Sequence, residues 1–310
     1  MGTNFENNRV IEMEQLLTEA LKAQSAVKPG DNRSCEDYLK LQSAIQRLAD
    51  YYESPEWKRD FERDEKGEIP KDIARGVLSE DGIYNMLERN RDILDEIVGS
   101  HKIVVIFPGI GYHSDKPLLY FTKKLARENG YIVFETTYEF PNKPGDIKGN
   151  REKMKDAFEI AMEQAAGQLS PLKLGGCGDV LFVGKSIGTA ISAYYNEQNK
   201  IGARQILFTP VPQTFELLMP GSTQTTSDGD KATGSASGSE SSNPGSTIVF
   251  HGNADPWCPT DIAIEMSKEL DLPLYITDNA NHSLETGAAL TDIANLETIL
   301  GTVSNYIKEA

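Results

Sequence analysis

The stretch of sequence that decides the fold is VLFVGKSIGT, from Val180 to Thr189. Its first four residues are apolar and are typical of a strand buried on both faces. Gly184 and Gly188 then flank Ser186, and a helical pattern follows directly. Glycines at these two positions allow a tight turn that holds the serine in a strained backbone conformation. The stretch therefore predicts a strand–turn–helix unit that lifts the Ser186 hydroxyl above the edge of a sheet.

The same stretch contains Gly184-Lys185-Ser186, which also occurs at the end of phosphate-binding loops. Such a loop requires a glycine five positions before Gly184, where this chain has Asp179. The residues in between are strand-like, whereas a phosphate-binding loop is a glycine-rich coil. We therefore interpret the stretch as a turn around a serine nucleophile.

Outward from this strand, short apolar runs alternate with helical patterns. The alternation predicts an α/β fold, a mostly parallel six-stranded sheet with helices on both faces and right-handed crossovers. The predicted strands span residues 103–107, 131–136, 180–183, 205–208, 247–250 and 274–277. The predicted helices span residues 118–129, 150–169, 189–197, 262–270 and 291–307.

Residues 1–99 predict a separate, small all-helical domain, which leaves residues 100–310 as the second domain. Apolar residues recur at helical spacing from Val10 and from Tyr38, and Ser79 precedes a third such segment. Residues 1–100 hold 22 acidic and 14 basic side chains, against 25 and 17 in the other 210 residues. The net charge of −8 is the same in both parts, so the smaller part is about twice as charge-dense.

Three shorter segments carry their own predictions. The mixed charges of residues 58–66 indicate solvated surface, and Trp57 with Phe61, four residues apart, indicates core packing. Residues 221–246 contain 8 Ser, 4 Thr and 5 Gly and too few apolar side chains to offset the entropy of ordering them. We expect a flexible loop there, a solvated spacer rather than a lid.

A serine hydroxyl needs a base within hydrogen-bonding reach to act as a nucleophile. Among the histidines, His282 follows the last predicted strand, so we expect it at the carboxyl edge of the sheet, beside Ser186. His101 precedes a strand and belongs at the opposite edge. His251 ends a strand, and its ring can point into the sheet.

Asp255 is the predicted acid that orients the histidine, because it lies just past the strand at residues 247–250. The order Ser186, Asp255, His282 is the nucleophile–acid–base order of one fold class. Asp278 and Glu285, which are close to His282 in sequence, are the alternative acids.

The backbone N–H groups of Ile187 and Ile110 are the predicted donors to an oxyanion. Ile187 follows the nucleophile, and Ile110 lies in the glycine-rich loop after the first strand. The predicted lining of the substrate pocket follows from positions in the loops at the same edge and comprises Tyr112, His113, Phe215 and Trp257.

With Gly184–Gly188, Asp255 and His282 in this order, residues 102–310 resemble the α/β-hydrolase superfamily. The form is a minimal one that lacks the first antiparallel strands and is similar to dienelactone hydrolases, although Ser186 stands where the lactone hydrolase has cysteine. The resemblance implies a serine hydrolase of the carboxylesterase kind, which cleaves a small-molecule ester or thioester without a metal or organic cofactor.

Residues 9–98 resemble a second family, small helical domains of bacterial proteins without known function. The resemblance lies in residues 50–57, 60–65, 69–72 and 75–81. It leaves open an alternative function, a scaffold whose acidic helical domain binds a protein partner or a second copy of the chain, with a weak or inactive hydrolase fold.

The composition limits the class of partner. A formal charge of −16 and a pI near 4.8 argue against nucleic acid and anionic membranes as ligands. Cys35, Cys177 and Cys258 are widely spaced and include no CxxC pair, which argues against a disulfide framework or a zinc site. With no apolar run long enough to span a bilayer and no recognisable signal peptide, we expect a cytoplasmic protein.

Overall fold

The computed structural model describes residues 2–147, 150–219 and 247–309. The chain forms two compact units, Met1–Ser100 and His101–Ala310. The predicted flexible loop at residues 221–246 lies outside the described residues. In the part of the chain that the structure describes, no helix is long and apolar enough to cross a membrane.

The N-terminal unit is all-helical, as predicted, but its described residues form five α-helices where the sequence predicted three. The second predicted helix is divided in two, because helical apolar spacing continues through Leu41 although the chain turns there. The helices are α1 (Gly2–Ala26), α2 (Asn32–Leu39), α3 (Gln42–Glu53), α4 (Pro55–Glu65) and α5 (Glu80–Ser100).

Helix α4 was not predicted from the sequence. Its charged residues were interpreted only as solvated surface, yet Ser54 caps the helix by accepting a hydrogen bond from the Trp57 N–H at 3.2 Å. Pro55 takes the first helical position, where its missing N–H costs nothing. Trp57 is buried and stacks on Phe61 with 5.2 Å between ring centroids, which is the packing predicted for this pair.

The C-terminal unit is built on a parallel sheet of six strands within the described residues, and the predicted α/β fold is confirmed. The strand order is β2-β1-β3-β4-β5-β6. Each predicted strand is present, with its ends within two residues of the prediction. The strands are β1 (Lys102–Phe107), β2 (Tyr131–Glu135), β3 (Val180–Lys185), β4 (Arg204–Phe208), β5 (Thr247–Gly252) and β6 (Leu274–Thr277).

Helices cover both faces of the sheet. The short helices α7 and α10 were not predicted. The helices are α6 (Pro117–Glu128), α7 (Pro144–Ile147), α8 (Arg151–Leu169), α9 (Ile187–Gln198), α10 (Pro212–Leu218), α11 (Thr260–Glu269) and α12 (Ala289–Lys308). Successive residues of β4 show the two faces, since Ile206 and Phe208 pack in one apolar cluster with α6 and α12, whereas Leu207 packs in another with α10 and α11.

One strand differs from its prediction in burial. The apolar run in β6 predicted a strand buried on both faces, but Tyr275 and Ile276 are 41% and 42% exposed. Strand β6 is the edge of the sheet and pairs with β5 alone, so its side chains have fewer neighbours.

The strand order places a switch point between β1 and β3. Strand β2 lies on one side of β1, and the chain then returns to place β3 on the other side. In open parallel sheets the loops at such a point diverge and leave a crevice at the carboxyl ends of the strands. The segment from Pro108 to Tyr112 and the turn around Ser186 therefore meet at this crevice.

Candidate active site

The turn between β3 and α9 has the strained geometry that the sequence predicted. Ser186 adopts φ 58° and ψ −125°, a backbone conformation that residues with a Cβ rarely take. A Cβ at Gly188 would lie 2.0 Å from the Phe107 carbonyl oxygen, and one at Gly184 would lie 2.6 Å from the Thr189 Cα. Both glycines are thus required by close backbone contact.

The structure brings the three predicted side chains of the relay together. His282 Nε2 lies 2.7 Å from the Ser186 Oγ, and His282 Nδ1 lies 2.7 Å from the Asp255 Oδ2. An ionised carboxylate only accepts hydrogen bonds, so Nδ1–H donates to Asp255 and Nε2 is left to accept the serine proton. This is the arrangement by which a histidine withdraws a proton from a serine hydroxyl.

Close contacts hold the loop that carries His282 against the ends of β5 and β4. A Cβ at Gly252 would lie 2.3 Å from the Ala280 carbonyl oxygen, so the loop approaches this closely only because residue 252 is glycine. The Ala254 N–H donates to the same carbonyl at 2.9 Å. From the end of β4, the Thr209 hydroxyl donates to the His282 carbonyl at 3.0 Å. The His282 ring is therefore anchored from two neighbouring strands.

Asp255 is held in its ionised form. Burial alone would raise the pKa of its carboxyl group. The hydrogen bond and positive charge of His282, the Trp257 N–H at 2.9 Å and the positive charge of Lys185 outweigh burial and lower that pKa. The carboxylate is then available to orient His282 and to stabilise its protonated ring.

The two predicted oxyanion donors lie in the turns that follow two adjacent strands, β1 and β3. Ile187 is the first residue of α9, and Ile110 lies in a turn closed by two 3.1 Å hydrogen bonds between Gly109 and Tyr112. Gly111 supplies the positive φ of 75° that this turn needs. Among the described residues, neither isoleucine N–H donates to a protein acceptor. Both donors are thus available to a ligand oxygen.

A cavity of about 90 Å³ opens beside Ser186. Two of the predicted pocket residues, Tyr112 and Trp257, line it. The lining residues are Ile110, Gly111, Tyr112, Lys116, Met154, Lys185, Ser186, Val211, Trp257, His282 and Ser283.

Two predicted pocket residues lie elsewhere. Phe215 is fully buried in the apolar cluster with Leu207 and Val249, because it belongs to the unpredicted helix α10, whose apolar side packs on the sheet. His113 is exposed, and its Nδ1 accepts a hydrogen bond from the Asp115 N–H at 3.3 Å. These two residues therefore do not line the cavity beside Ser186.

The other candidate acids and bases have different partners. His251 is fully buried at the end of β5 with its Nε2 3.1 Å from the Thr260 Oγ1, and burial lowers its pKa. Asp278 accepts a hydrogen bond from the Asn253 side chain at 2.9 Å, and Glu285 is exposed. In the described part of the chain, no three His, Cys, Asp or Glu side chains are grouped to hold a metal ion.

Lys185 and Lys116 line the cavity but were not predicted to do so. Lys185 is fully buried at the end of β3, with its Nζ 4.9 Å from the centre of the Tyr112 ring. Lys116 precedes α6, and its Nζ lies 5.2 Å from the same ring. The signal for Lys185 was its place between a buried strand and the nucleophile, where a charged side chain is unusual.

Comparisons with known proteins match one segment of the chain to a family model. Residues 10–99 match the family model of DUF4298, a domain of unknown function, so the predicted resemblance of the N-terminal segment to such a family is confirmed. No curated protein matches the chain.

Three of the similar solved structures are low in identity and align with about two thirds of this chain. A protein of unknown function from Agrobacterium tumefaciens is 16% identical, with 67% of this chain and 85% of that one covered and a TM-score of 0.44. Est1E from Butyrivibrio proteoclasticus with ferulic acid bound is 13% identical, with 66% and 90% covered and a TM-score of 0.41. An alpha-beta serine hydrolase homologue from Coxiella burnetii is 14% identical, with 66% and 84% covered and a TM-score of 0.39.

Proposed function

We propose that the chain is a serine hydrolase that cleaves a carboxylic ester or thioester of a small molecule through an acyl-enzyme intermediate. The observation that carries this proposal is the continuous relay from the Ser186 hydroxyl through His282 to Asp255, with both hydrogen bonds at 2.7 Å. A buried, ionised acid behind the imidazole is what the chemistry requires, because it stabilises the imidazolium that forms.

Acylation begins when the Ser186 Oγ attacks the carbonyl carbon of the substrate. His282 Nε2 takes the hydroxyl proton, and the carbonyl oxygen becomes an oxyanion that accepts hydrogen bonds from the Ile187 and Ile110 N–H groups. The tetrahedral intermediate then expels the alcohol or thiol, to which His282 returns the proton. The products of this half-reaction are the free alcohol or thiol and an acyl ester on Ser186.

Deacylation repeats these steps with water as the nucleophile. His282 removes a proton from the water molecule while its oxygen attacks the acyl carbon. The second tetrahedral intermediate collapses, the bond to the Ser186 Oγ breaks, and the serine recovers its proton from His282. The carboxylic acid leaves, and the relay returns to its starting state.

A fluorophosphonate probe tests the proposal on the full chain. We expect covalent labelling of the wild-type protein at Ser186, since the probe reacts with activated serines, and hydrolysis of p-nitrophenyl acetate or butyrate. Ser186→Ala removes the reacting oxygen and is expected to lose both labelling and turnover. Ser170→Ala changes an exposed serine outside the site and is the matched control. A folded wild-type protein that neither reacts with the probe nor hydrolyses these esters would contradict the proposal.

A further inference from the structure

Thr209 follows strand β4 in a backbone conformation that its side chain disfavours. Its φ of 44° lies in the left-handed region, which residues branched at Cβ rarely enter. Pro210 comes next, and a proline favours extended backbone of negative φ in the residue before it. Glycine adopts a positive φ at no steric cost. A threonine in this place therefore indicates a use for its side chain, since strained residues of this kind cluster at functional sites.

Thr209 joins parts of the fold that are distant in sequence. Its N–H donates to the Phe250 carbonyl at 2.7 Å, which ties the end of β4 to β5. Its hydroxyl donates to the His282 carbonyl at 3.0 Å, across 73 positions of the sequence. Thr209 is fully buried, so water does not reach the hydroxyl and compete for this hydrogen bond. The bond therefore sets the distance between the end of β4 and the backbone of His282.

His282 needs such a contact because neither a helix nor a strand carries it. It lies in the loop between β6 and α12, bracketed by two residues of left-handed backbone, Asn279 (φ 55°) and Leu284 (φ 60°). Its ring must nevertheless keep both nitrogens 2.7 Å from their partners. The contacts from β5 hold Ala280, two residues earlier, whereas Thr209 contacts His282 itself. The Thr209 hydroxyl thus gives the base a fixed point outside its own loop.

We propose that Thr209 is a positioning residue, whose hydroxyl holds the backbone of His282 so that the imidazole reaches Ser186 and Asp255 together. The inference rests on the proposed function, because it concerns the base of the same relay. Thr209 does not line the cavity beside Ser186, so it acts through His282. A misplacement of about 1 Å in a catalytic group can cost about a hundredfold in rate, so the loss of one hydrogen bond that positions this group has a large effect.

Two substitutions in the full chain separate the hydroxyl of Thr209 from its methyl group. Thr209→Val keeps the shape and the branched Cβ but removes the donor, and we expect kcat for p-nitrophenyl butyrate to fall about 10- to 100-fold. KM is expected to stay within about threefold, because the side chain is not part of the cavity lining. Thr209→Ser keeps the donor and removes only the methyl group. It is expected to retain most of the wild-type kcat and to lower the urea midpoint of unfolding instead.

Thr136→Val is the matched control. Thr136 is also buried and directly follows a strand, β2, at the same edge of the sheet. Its hydroxyl also donates to a backbone carbonyl at 3.0 Å, but that carbonyl belongs to Ile106 of β1 rather than to the loop of His282. We expect this variant to lower the urea midpoint about as much as Thr209→Val does and to keep the wild-type kcat. If Thr209→Val does not fold, Thr209→Ala and Thr209→Ser give the readout, because they differ by the hydroxyl alone.

The outcomes separate this inference from the proposed function. Wild-type kcat in folded Thr209→Val overturns the inference and leaves the serine hydrolase in place. An equal loss of kcat in Thr136→Val also overturns it, because the loss then follows from packing in general. A loss in Thr209→Ser as large as that in Thr209→Val overturns the assignment to the hydroxyl. Absence of both fluorophosphonate labelling and ester turnover in folded wild-type protein overturns both proposals.

Discussion

Asp255 has two carboxylate oxygens that are used by different donors. Oδ2 accepts from His282 Nδ1 at 2.7 Å, and Oδ1 accepts from the Trp257 N–H at 2.9 Å. The side chain is fully buried, so water does not compete for either oxygen. Since the carboxylate has no proton to give, it also selects the tautomer of the imidazole, with its proton on Nδ1.

Asp255→Asn tests this role at the residue scale. The amide NH2 of asparagine donates where the carboxylate accepted, which favours the tautomer with the proton on Nε2. That nitrogen then cannot accept the Ser186 proton, and we expect kcat/KM for p-nitrophenyl butyrate to fall about a thousandfold or more. Ester hydrolysis, followed by nitrophenolate release, measures the change.

Asp278→Asn is the control for this substitution. Asp278 is also close to His282 in sequence, but it is exposed and pairs with Asn253. We expect this variant to keep activity within a few-fold of wild type. If Asp278→Asn were the variant that lost activity, the acid of the relay would have been assigned to the wrong residue.

At the scale of elements, the start of helix α9 depends on its close contact with β1. Gly188 lies in the first turn of α9, and a Cβ there would come within 2.0 Å of the Phe107 oxygen and 2.7 Å of the Pro108 oxygen. These are backbone atoms of the last residue of β1 and of the loop that follows, so they cannot rotate away as a side chain would. A methyl group at this position requires α9 or β1 to move.

Gly188→Ala is therefore expected to lower the free energy of unfolding by about 1–3 kcal/mol or more, the cost of overpacking a closely packed site. Gly301→Ala is the matched control, because Gly301 lies within α12 and a methyl group added there would meet open space. At Gly301 the same change is expected to raise the free energy of unfolding by about 0.5–1 kcal/mol, because alanine has the higher helix propensity. Urea unfolding followed by Trp257 fluorescence, in a Trp57→Phe background, compares the two. A Gly188→Ala variant as stable as its parent would contradict the close contact.

The same elements show how much of the fold and site can be predicted. Continuous apolar runs identified the six strands of the described residues, and five of these strands are buried on both faces, which leaves a strong pattern. Ser186, Asp255 and His282 were selected by their places after strands, and the structure brings them together. Helix α4 was not predicted, because the segment is highly charged and its two large apolar residues, Trp57 and Phe61, are too few to give a helical pattern. The direction of the Lys185 side chain depends on its strand neighbours and was beyond sequence patterns.

At the scale of the whole molecule, lowering the pH has two opposing effects on the stability of the folded chain. Protonation of carboxylates reduces the self-repulsion of a chain with formal charge −16. His251 acts in the other direction, because burial lowers its pKa from 6.5 in spite of the negative charge of Asp255. The unfolded chain then binds the proton more readily than the folded chain. The contribution of His251 to stability is full above about pH 6.5 and is lost as the pH falls below that value.

His251→Asn is expected to reduce the loss of stability on acidification. The measurement is the free energy of urea unfolding at several pH values between about 7.5 and 5, reported by Trp257 as above, and the wild type is expected to lose more than the variant over this range. His113→Asn changes an exposed histidine and serves as the comparison, expected to follow the wild type. Parallel curves for wild type and His251→Asn would show that His251 does not carry this pH dependence.

The adjacency of β1 and β3 has a consequence for the N–H groups of Ile110 and Ile187, the two predicted oxyanion donors. Phe107 and Gly184 are paired in the ladder between these strands, and the turns bearing Ile110 and Ile187 leave from that point. The separation of the two donors is thus dictated by the interstrand spacing, so the proposed receptor for negative charge would be formed by the fold before any ligand arrives. A slip of one residue between β1 and β3 would dismantle this receptor while preserving the secondary-structure content, so that circular dichroism would register an intact protein with no catalytic capacity.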